Sequence, residues 1–500
     1  MNRLTPPPPA CTSVHVEIAA APPAPKLSPA APLIIGSALL MQTLDTTVIT
    51  NALPRMAYSL HEDALHLNVA ITSYILAAAV FLPINGWVAD RFGAKTVFRL
   101  AMVLFAASSL LCGLSHNLPE LVGARMLQGM AGAMMAPVGR LVLLRSVPRS
   151  DLVRAMVYLT MPALLGPVIG PPIGGFIVTH FSWRWIFYMN VPICIVAVTL
   201  VSLFIPEVKE ENTGPLDWKG FILTGLGLAG VVYGFENIGR GALPPGLVAT
   251  LLIGGLACLS VYHWHARRTP HAILDFSVFR YPAFMATTIG GAFLRMAIGA
   301  MPFLLAMMLQ VAFGMSAFTA GLMTFSSGGA ALIMRMSARP ILRRFGFKRV
   351  LVVNTVISGL TLMGYGLFRP TTPALLIAAT LLIGGFFRSL QFTALNALAF
   401  VEIPPEKMSR ASSLSSVIQQ VAQSIGIGLS ALVMSGLRSL HRSAALGVND
   451  VTPAFIFLGA MTLVGLVFFL PLKSDVGDDV SGRAPDMDDA QTPGLAAALD

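Results

Sequence analysis

The sequence predicts an all-α integral membrane protein with about fourteen transmembrane helices. Of its 500 residues, 55% are hydrophobic and only 11% are charged, and the mean hydropathy is +0.75. A soluble domain of this length could not keep so little charge on its surface. Apolar runs of about 20 residues, the length that crosses a bilayer core, recur along the chain between short polar or Pro/Gly-rich breaks.

Each predicted span is one such apolar run. In chain order the spans cover residues 31–53, 69–89, 96–115, 121–141, 152–178, 186–205, 220–235, 246–264, 283–309, 319–336, 350–368, 373–394, 414–437 and 455–472. The Pro/Ala-rich residues 1–30 and the acidic residues 473–500 are predicted to be disordered tails. The proline-rich start cannot form the apolar helix of a signal peptide, so none is expected.

A weak internal repeat divides the chain. Residues 89–95 (ADRFGAK), after the second span, are echoed by residues 342–348 (LRRFGFK), after the tenth. Removing the seventh and eighth spans leaves two six-span halves in which these loops take the same place, as in carriers built from parallel repeats. The sequence therefore predicts a six-helix bundle at 31–205, two inserted helices at 206–265 and a second six-helix bundle at 266–472.

Basic residues set the predicted orientation. They collect in loops on one side of the predicted spans, namely Arg91, Lys95, Arg99, Arg145, Arg149, Arg154, Arg339, Arg343, Arg344, Lys348 and Arg349. The positive-inside rule then places both termini in the cytoplasm, and all-helical spans fit an inner or plasma membrane. The formal net charge of +10 is thus explained by topology. Because the basic residues form no single patch interleaved with aromatic residues, no nucleic-acid partner is expected.

Other classes of protein have little support in the sequence. The four cysteines show no Cys-x-x-Cys spacing and no clustering with His, so neither a disulfide framework nor a metal site is indicated. An enzyme would need a nucleophile with a base, or metal ligands, within the spans, and no such group is evident; we expect no cofactor. A channel is also disfavoured, because no ring-forming charge pattern or re-entrant filter is evident.

Several motifs resemble those of one transporter family. Residues 86–95 (GWVADRFGAK) resemble the cytoplasmic loop signature of the major facilitator superfamily. The remaining matches resemble signatures of this superfamily and of its fourteen-span drug:proton antiporter branch, and they lie at 44–54 (LDTTVITNALP), 125–129 (RMLQG), 166–175 (GPVIGPPIGG), 183–187 (WRWIF) and 190–192 (NVP). The resemblance covers roughly residues 31–472 and joins several independent motifs.

The resemblance implies the major facilitator fold, with two six-helix bundles plus two inserted central helices. It also implies proton-coupled efflux of drugs or small organic compounds, so that a small-molecule substrate, protons and membrane lipids are the expected partners. A monomer and an assembly with periplasmic adaptor proteins both remain open. The alternative is a proton-coupled importer of an organic anion or nutrient on the same fold.

Two motifs are expected to act in conformational change. In the loop after the second span, Asp90 can pair with a nearby cation and the glycines permit close packing, so we expect a latch made of Gly86, Asp90, Arg91 and Gly93. An ordinary charged turn is the simpler alternative. In the fifth span the resemblance implies that small residues prevent leak, although a merely packed helix has the same composition; these residues are Gly166, Pro167, Gly170, Pro171, Gly174 and Gly175.

Charges inside the spans are the candidates for the transport mechanism, because an ionisable group in hydrocarbon is costly unless it is paired or faces a wet cavity. Asp45 and Arg125 both lie roughly 20 Å from the cytoplasmic edge, as counted along their helices. We expect Asp45 to be the proton-coupling carboxylate and Arg125 to tune it. The alternative is a static ion pair that holds two helices together.

The second half carries cations without acidic partners nearby in sequence. Arg295 lies at about the depth of Asp45, so it either pairs with Asp45 or binds an anionic group of the substrate. Arg388, Gln391 and Gln310 are further expected substrate-binding residues, with the joining of helices by hydrogen bonds as the alternative for each glutamine. For Arg388 the alternatives are snorkelling and bonding to neighbouring amides. Outside this half, Glu236 is expected at a solvated helix end, and a second titratable site is the alternative.

Overall fold

The regular structure of the chain is entirely helical in the part that the structure describes. This computed structural model covers residues 31–60, 69–147, 151–207, 214–238, 243–269, 272–315, 317–441 and 447–481. No strand occurs in these ranges, so the predicted all-α class is confirmed. The tail predicted at 1–30 lies outside the described residues.

The first half of the chain forms eight helices, with two spans each built from two consecutive helices. They are α1 (Ala31–Leu60), α2 (Val69–Phe81), α3 (Asn85–Phe92), α4 (Ala94–Leu114), α5 (Leu118–Ser146), α6 (Leu152–His180), α7 (Trp185–Tyr188) and α8 (Asn190–Phe204). A 3₁₀ turn that contains Pro83 joins α2 to α3. Proline interrupts the regular hydrogen bonding there because it has no N–H group.

Two helices follow where the insertion is predicted, and the second half begins after them. The inserted helices are α9 (Trp218–Asn237) and α10 (Pro245–Ala266). The later helices are α11 (Pro282–Met285), α12 (Gly291–Ala306), α13 (Ala317–Phe345), α14 (Phe347–Tyr365), α15 (Ala374–Leu398), α16 (Met408–His441), α17 (Val448–Val464), α18 (Leu466–Phe469) and α19 (Asp478–Ser481). Two π-helical segments, Ala286–Gly290 and Met307–Ala312, extend α12 at both ends.

The helices match the predicted spans. Twelve helical segments among the described residues are long and apolar enough to cross a membrane. Two further helices, α6 and α13, are 29 residues long and pack against α1 and α15 respectively. Large apolar side chains point outward from the bundle, for instance Leu203 and Ile253, which are 72% and 68% exposed. Such a surface is stable only against lipid, so the fold is that of a multi-pass membrane protein, consistent with fourteen spans.

The two echoed loops have the same backbone conformation. Gly93 joins α3 to α4 with φ of +90°, and Gly346 joins α13 to α14 with φ of +72°. Each glycine N–H donates to a carbonyl four residues earlier, at 3.0 Å for Gly93 to Ala89 and 2.9 Å for Gly346 to Leu342. L residues with a side chain rarely adopt such φ values. The sequence repeat is therefore a structural repeat.

Among the described residues, the two halves share an apolar cluster at one end of the bundle. Because consecutive spans alternate in direction, Gly93 and Gly346 lie at the same end, which we call the Asp90 end. There one apolar cluster contains residues of both halves, such as Leu143 of α5 and Leu342 of α13. Towards the opposite end the buried apolar residues form separate clusters in the first and second halves. The structure is therefore closed between the halves at the Asp90 end.

The inserted helices lie beside this interface. Helix α9 packs against α10 and also contacts α2 of the first half and α16 of the second. The contacts are close, since a Cβ atom added at Gly428 of α16 would meet the Phe235 carbonyl at 2.6 Å. Glu236, expected at a solvated helix end, is in fact only 7% exposed, because α9 ends against neighbouring helices.

The folded chain extends beyond the predicted boundary at residue 472. Gly477, with φ of +80°, packs against Phe347 and Leu398, and α19 contacts α13 and α6. Residues 473–481 were expected to belong to the disordered tail, and for them the expectation is wrong because this short segment finds apolar partners at the Asp90 end. Residues 482–500 lie outside the described residues.

Close packing of α16 on α12 generates a prediction. A Cβ atom at Gly426 would lie 2.0 Å from the Met296 carbonyl oxygen, whereas one at Gly436 would meet nothing within 4 Å. We expect Gly426→Ala to lower the thermal unfolding midpoint of the purified protein, because overpacking should reduce the free energy of unfolding by about 1–3 kcal/mol. Gly436→Ala, on the same helix, should leave the midpoint unchanged or raise it slightly, because alanine favours a helix more than glycine does. Equal midpoints for the two variants in a thermal unfolding assay would contradict this packing.

Candidate functional site

Asp45 lies at the centre of a buried polar cluster in the first half. Its side chain is fully buried, and its Oδ2 atom accepts a hydrogen bond of 2.6 Å from Nη1 of Arg125 on α5. Its Oδ1 atom accepts from the amide groups of Gln128, at 3.0 Å, and of Asn190, at 2.9 Å. The carboxylate thus has one cationic and two amide partners, which offset the cost of burying its charge.

Other groups hold these partners in place. Ser109 of α4 accepts from the amides of both Gln128, at 3.2 Å, and Asn190, at 2.9 Å. The Nε atom of Arg125 donates to the Ala70 carbonyl at 3.3 Å, and the guanidinium lies 4.5 Å from the centre of the Tyr74 ring. Side chains from α1, α2, α4, α5 and α8 therefore converge on one ion pair.

Local structure explains the convergence. Arg125 and Gln128 are three residues apart on α5 and so lie on one face of that helix, where Nη1 of Arg125 also donates to Oε1 of Gln128 at 2.6 Å. Asn190 is the first residue of α8. Four residues of this cluster were not among the site residues predicted from the sequence: Gln128, Asn190, Ser109 and Tyr74. Gln128 and Asn190 nevertheless lie inside the quoted motifs RMLQG and NVP, which carried the signal that could have identified them.

Helix α6 approaches α1 very closely beside this cluster. A Cβ atom at Gly166 would lie 2.1 Å from Oγ1 of Thr43, and one at Gly170 would lie 2.2 Å from Oγ1 of Thr47. A Cβ atom at Gly174 would lie 2.9 Å from Cγ1 of Val48. The described glycines of residues 166–175 therefore form the contact between the two helices, and Thr43 donates across it to the Ala163 carbonyl at 2.9 Å. The side chains of Pro167 and Pro171 and the surroundings of Gly175 lie outside the described part of the chain.

The predicted latch residues meet the second half at the Asp90 end. Asp90 accepts from Arg145 of α5 at 2.8 Å and from the hydroxyl of Ser409 on α16. The Gly86 N–H donates to Oγ of Ser413 at 2.9 Å. Gly93 forms the tight turn before α4. Arg91, by contrast, is exposed, so Arg145 supplies the cation beside Asp90.

The polar residues predicted in the second half do not join Asp45. Arg295 is 1% exposed and donates from Nη1 to the Thr287 carbonyl at 3.3 Å. Arg388 donates to the Tyr365 hydroxyl at 3.0 Å. Gln391 donates to Oγ1 of Thr355 at 2.8 Å. Gln310 is exposed. Arg295 was expected either to pair with Asp45 or to bind an anionic group of the substrate. In the structure it does not pair with Asp45, whose carboxylate is bound by residues of its own half.

Two helical halves around an interface that is closed at one end, with a buried ion pair inside one half, are the architecture of a membrane carrier. Residues 35–427 match the sequence family described as Major Facilitator Superfamily. The chain belongs to the major facilitator superfamily.

Sequence relatives and solved structures agree with this membership. The chain is 35% identical over 441 residues to the "Putative multidrug resistance protein MdtD" of Salmonella paratyphi A and to that of Salmonella typhimurium, with 88% of this chain and 92% of each relative covered. The proton:xylose symporter XylE has a similar fold, with a TM-score of 0.64 at 14% identity over 90% of this chain and 97% of that one. So does the human organic anion transporter MFSD10, with a TM-score of 0.61 at 13% identity over 88% of this chain and 100% of that one.

The buried pair generates a prediction about stability. Arg125→Gln leaves the charge of Asp45 without its cation, and Asp45→Asn leaves the charge of Arg125 without its anion. Each variant should therefore lower the free energy of unfolding by about 3–5 kcal/mol. The double variant should recover a large part of this loss, because neither charge then remains buried. Thermal unfolding of all four proteins in detergent measures the coupling.

The exposed pair Asp151 and Arg339, 3.8 Å apart with side chains 53% and 43% exposed, supplies a matched control cycle. The coupling free energy between Asp151 and Arg339 should stay below about 1 kcal/mol. If the Asp45 and Arg125 variants are additive, as in the control, the pair does not stabilise the fold.

Proposed function

We propose that this protein is a proton-coupled exporter of drugs or small organic compounds, located in the cell inner or plasma membrane with both termini in the cytoplasm. The observation that carries the proposal is the Asp45 cluster, in which a carboxylate buried inside a helical bundle has one cationic partner, Arg125, in the part of the chain that the structure describes. A carboxylate in such a setting is a default candidate for binding a transported proton. The names of the MdtD relatives support export of drugs.

The contacts of Asp45 suggest how a proton acts on the halves. Protonation removes the charge that attracts Arg125, so the five helices that meet at the pair lose part of their common restraint. One of them, α1, is in close contact with α6 through Gly166 and Gly170. Helix α6 in turn packs against α13 and α15 of the second half. A proton at Asp45 can therefore bias the interface between the halves through α1 and α6.

The proposed orientation gives this structure a place in the transport cycle. With the basic loops in the cytoplasm, the Asp90 end is cytoplasmic, and the closed interface there corresponds to an outward-facing carrier. Asp90 bound to Ser409, and Gly86 bound to Ser413, then act as the latch that holds the cytoplasmic side shut. Substrate leaves and a proton enters from the opposite side in this state.

Transport driven by a pH gradient tests the coupling residue. In liposomes with purified protein, Asp45→Asn should abolish gradient-driven movement of organic anions or lipophilic cations, because the neutral amide cannot exchange a proton. It should retain exchange of labelled for unlabelled substrate at equilibrium. Glu406→Gln, a change at an exposed carboxylate, serves as the control and should keep both activities.

Gradient-driven transport that survives in Asp45→Asn would show that the pair is only structural. The direction of flux in inverted vesicles separates the exporter from the importer. Uptake into inverted vesicles upon acidification of their lumen indicates export, whereas loss of preloaded substrate indicates import.

The latch makes a separate prediction. Asp90→Asn weakens the contacts to Arg145 and Ser409, so the halves should spend more time apart at the Asp90 end. Spin labels at Phe92 and Arg344, both exposed at this end, measure the separation by pulsed electron paramagnetic resonance. The population at longer distance should rise in Asp90→Asn and stay unchanged in Arg91→Gln. The reverse ranking would exclude Asp90 as the latch.

A further inference from the structure

The two inserted helices are joined to each other where α9 begins and α10 ends. Asp217, the N-cap residue of α9, accepts a hydrogen bond of 2.8 Å from Nε2 of His265 in the last turn of α10. The side chain of Asp217 is only 5% exposed and also accepts from the Gly220 N–H at 2.8 Å. A Cβ atom at Gly220 would lie 3.0 Å from the Tyr262 ring of α10. These contacts hold the start of α9 and the end of α10 together.

The segment that leads into α9 is bound to the first half. Nε1 of Trp87, on α3, donates to the Gly214 carbonyl at 2.9 Å. Trp87 directly follows Gly86, a latch residue that contacts α16. Helix α9 also packs against α2, where a Cβ atom at Gly225 would lie 3.2 Å from Cγ1 of Val80. The insertion is therefore attached beside the first-half side of the latch.

The segment that follows α10 folds back onto that helix. Tyr262 of α10 is 1% exposed. Its hydroxyl accepts from the Leu274 N–H at 2.7 Å and donates to the Leu274 carbonyl at 3.0 Å. Phe276 packs against the same ring, with the two ring centres 6.1 Å apart. Residues 272–281 are thereby held close to the end of α10.

This segment is also bound to α16 of the second half. Asp275 lies 3.8 Å from Arg410, and Oγ of Ser277 accepts from Nζ of Lys407 at 2.8 Å. Arg410 directly follows Ser409, which is the residue of α16 that binds Asp90. The insertion is therefore attached beside the second-half side of the latch as well.

One apolar cluster accompanies these polar contacts. It contains Leu82 of the first half, Val232 of α9, and Phe400 and Leu414 of the second half. Separation of the halves would expose part of this cluster, which costs free energy in proportion to the apolar area exposed. The apolar contacts of the insertion therefore favour the same closed arrangement as its polar contacts.

Together the polar contacts form a continuous path from one half to the other. The path leads from α3 through Gly214 to Asp217, across to His265, and through residues 272–281 to α16. Opening of the Asp90 end moves α3 away from α16, so at least one contact of the path has to break. The path thus acts beside the direct contacts of the latch and opposes the same movement.

We propose that the insertion positions the latch. Helices α9 and α10, with residues 214–217 and 272–281, form a brace that holds the Asp90 end closed, and Asp217 and His265 are its positioning residues. This inference rests on the latch of the proposed transporter and adds the part of the chain that positions it.

A brace of this kind changes the balance between the two states of the carrier. Its contacts to α3 and α16 coexist only while the Asp90 end is closed, so they stabilise that state over the open one. With the proposed orientation, the closed state faces outward. The insertion therefore favours the state in which Asp45 receives its proton from the outer side.

Pulsed electron paramagnetic resonance tests the brace, with spin labels at Arg91 and Arg344, exposed residues of the first and second halves. His265→Leu should raise the ratio of open to closed populations about threefold or more, because it removes a hydrogen bond made in the closed state. Trp87→Phe keeps the apolar ring, loses the N–H donor and should act in the same direction. Arg268→Gln, a change at an exposed residue after α10, should leave the ratio unchanged.

Two further variants separate positioning from stability alone. His265→Gln retains an N–H donor and should stay within about twofold of the wild-type ratio. His265→Leu leaves the buried carboxylate of Asp217 without its partner, which lowers stability by itself. Adding Asp217→Asn removes that charge and keeps an oxygen that caps α9, so the thermal unfolding midpoint should recover while the open population stays high. A midpoint and a population that recover together would show that the pair is only structural.

Combined variants test the path itself. Trp87→Phe and His265→Leu interrupt the same path, so together they should raise the ratio no further than the larger single effect. Asp90→Asn acts on the direct latch, so its effect should multiply with that of His265→Leu. Unchanged populations in both His265→Leu and Trp87→Phe, or an equal shift in Arg268→Gln, would overturn the brace.

The population measurement needs neither substrate nor a proton gradient, so it is independent of the transport assay. A population shift in His265→Leu, together with gradient-driven transport that survives in Asp45→Asn, would leave the brace standing and refute the coupling residue. Loss of gradient-driven transport in Asp45→Asn, with unchanged populations in His265→Leu and Trp87→Phe, would support the coupled exporter and refute the brace.

Discussion

A carboxylate and a guanidinium buried together inside a helical bundle are the constraint on which the first half depends. Neither Asp45 nor Arg125 can tolerate the membrane interior without the other, because the cost of burying one isolated charge far exceeds that of an ordinary polar contact. The pair also needs Gln128 and Asn190 to satisfy the remaining oxygen. The positions of α1, α5 and α8 are therefore tied to one another at this point.

The close contact between α1 and α6 connects this constraint to the rest of the molecule. At Gly166 and Gly170 there is no space for a side chain between α6 and α1. Because the two helices are packed this closely, α6 has to move when α1 moves. Helix α6 packs on the second half through α13 and α15. A change of charge at Asp45 thus has a continuous mechanical route to the interface that opens and closes in a carrier.

Two buried arginines of this protein have different surroundings. In the first half, Arg125 is paired with Asp45, so its charge is balanced at that depth. In the second half, Arg295 donates to the Thr287 carbonyl, and its Nε atom has no hydrogen-bond partner among the described residues. The first arrangement is suited to a switch that operates by proton binding.

The sequence by itself determined the class of this protein, because the length and spacing of apolar runs follow directly from the thickness of a bilayer. It also determined the repeat, since the two echoed loops need a glycine at positive φ, and it identified Asp45 and Arg125, since ionisable residues are rare within apolar spans. Only the tertiary structure decided that these two residues are in contact, and that Arg145 and not Arg91 faces Asp90. These contacts join residues that are far apart in the sequence or lie in different halves, and their geometry depends on how whole helices pack, which no local pattern of residues specifies.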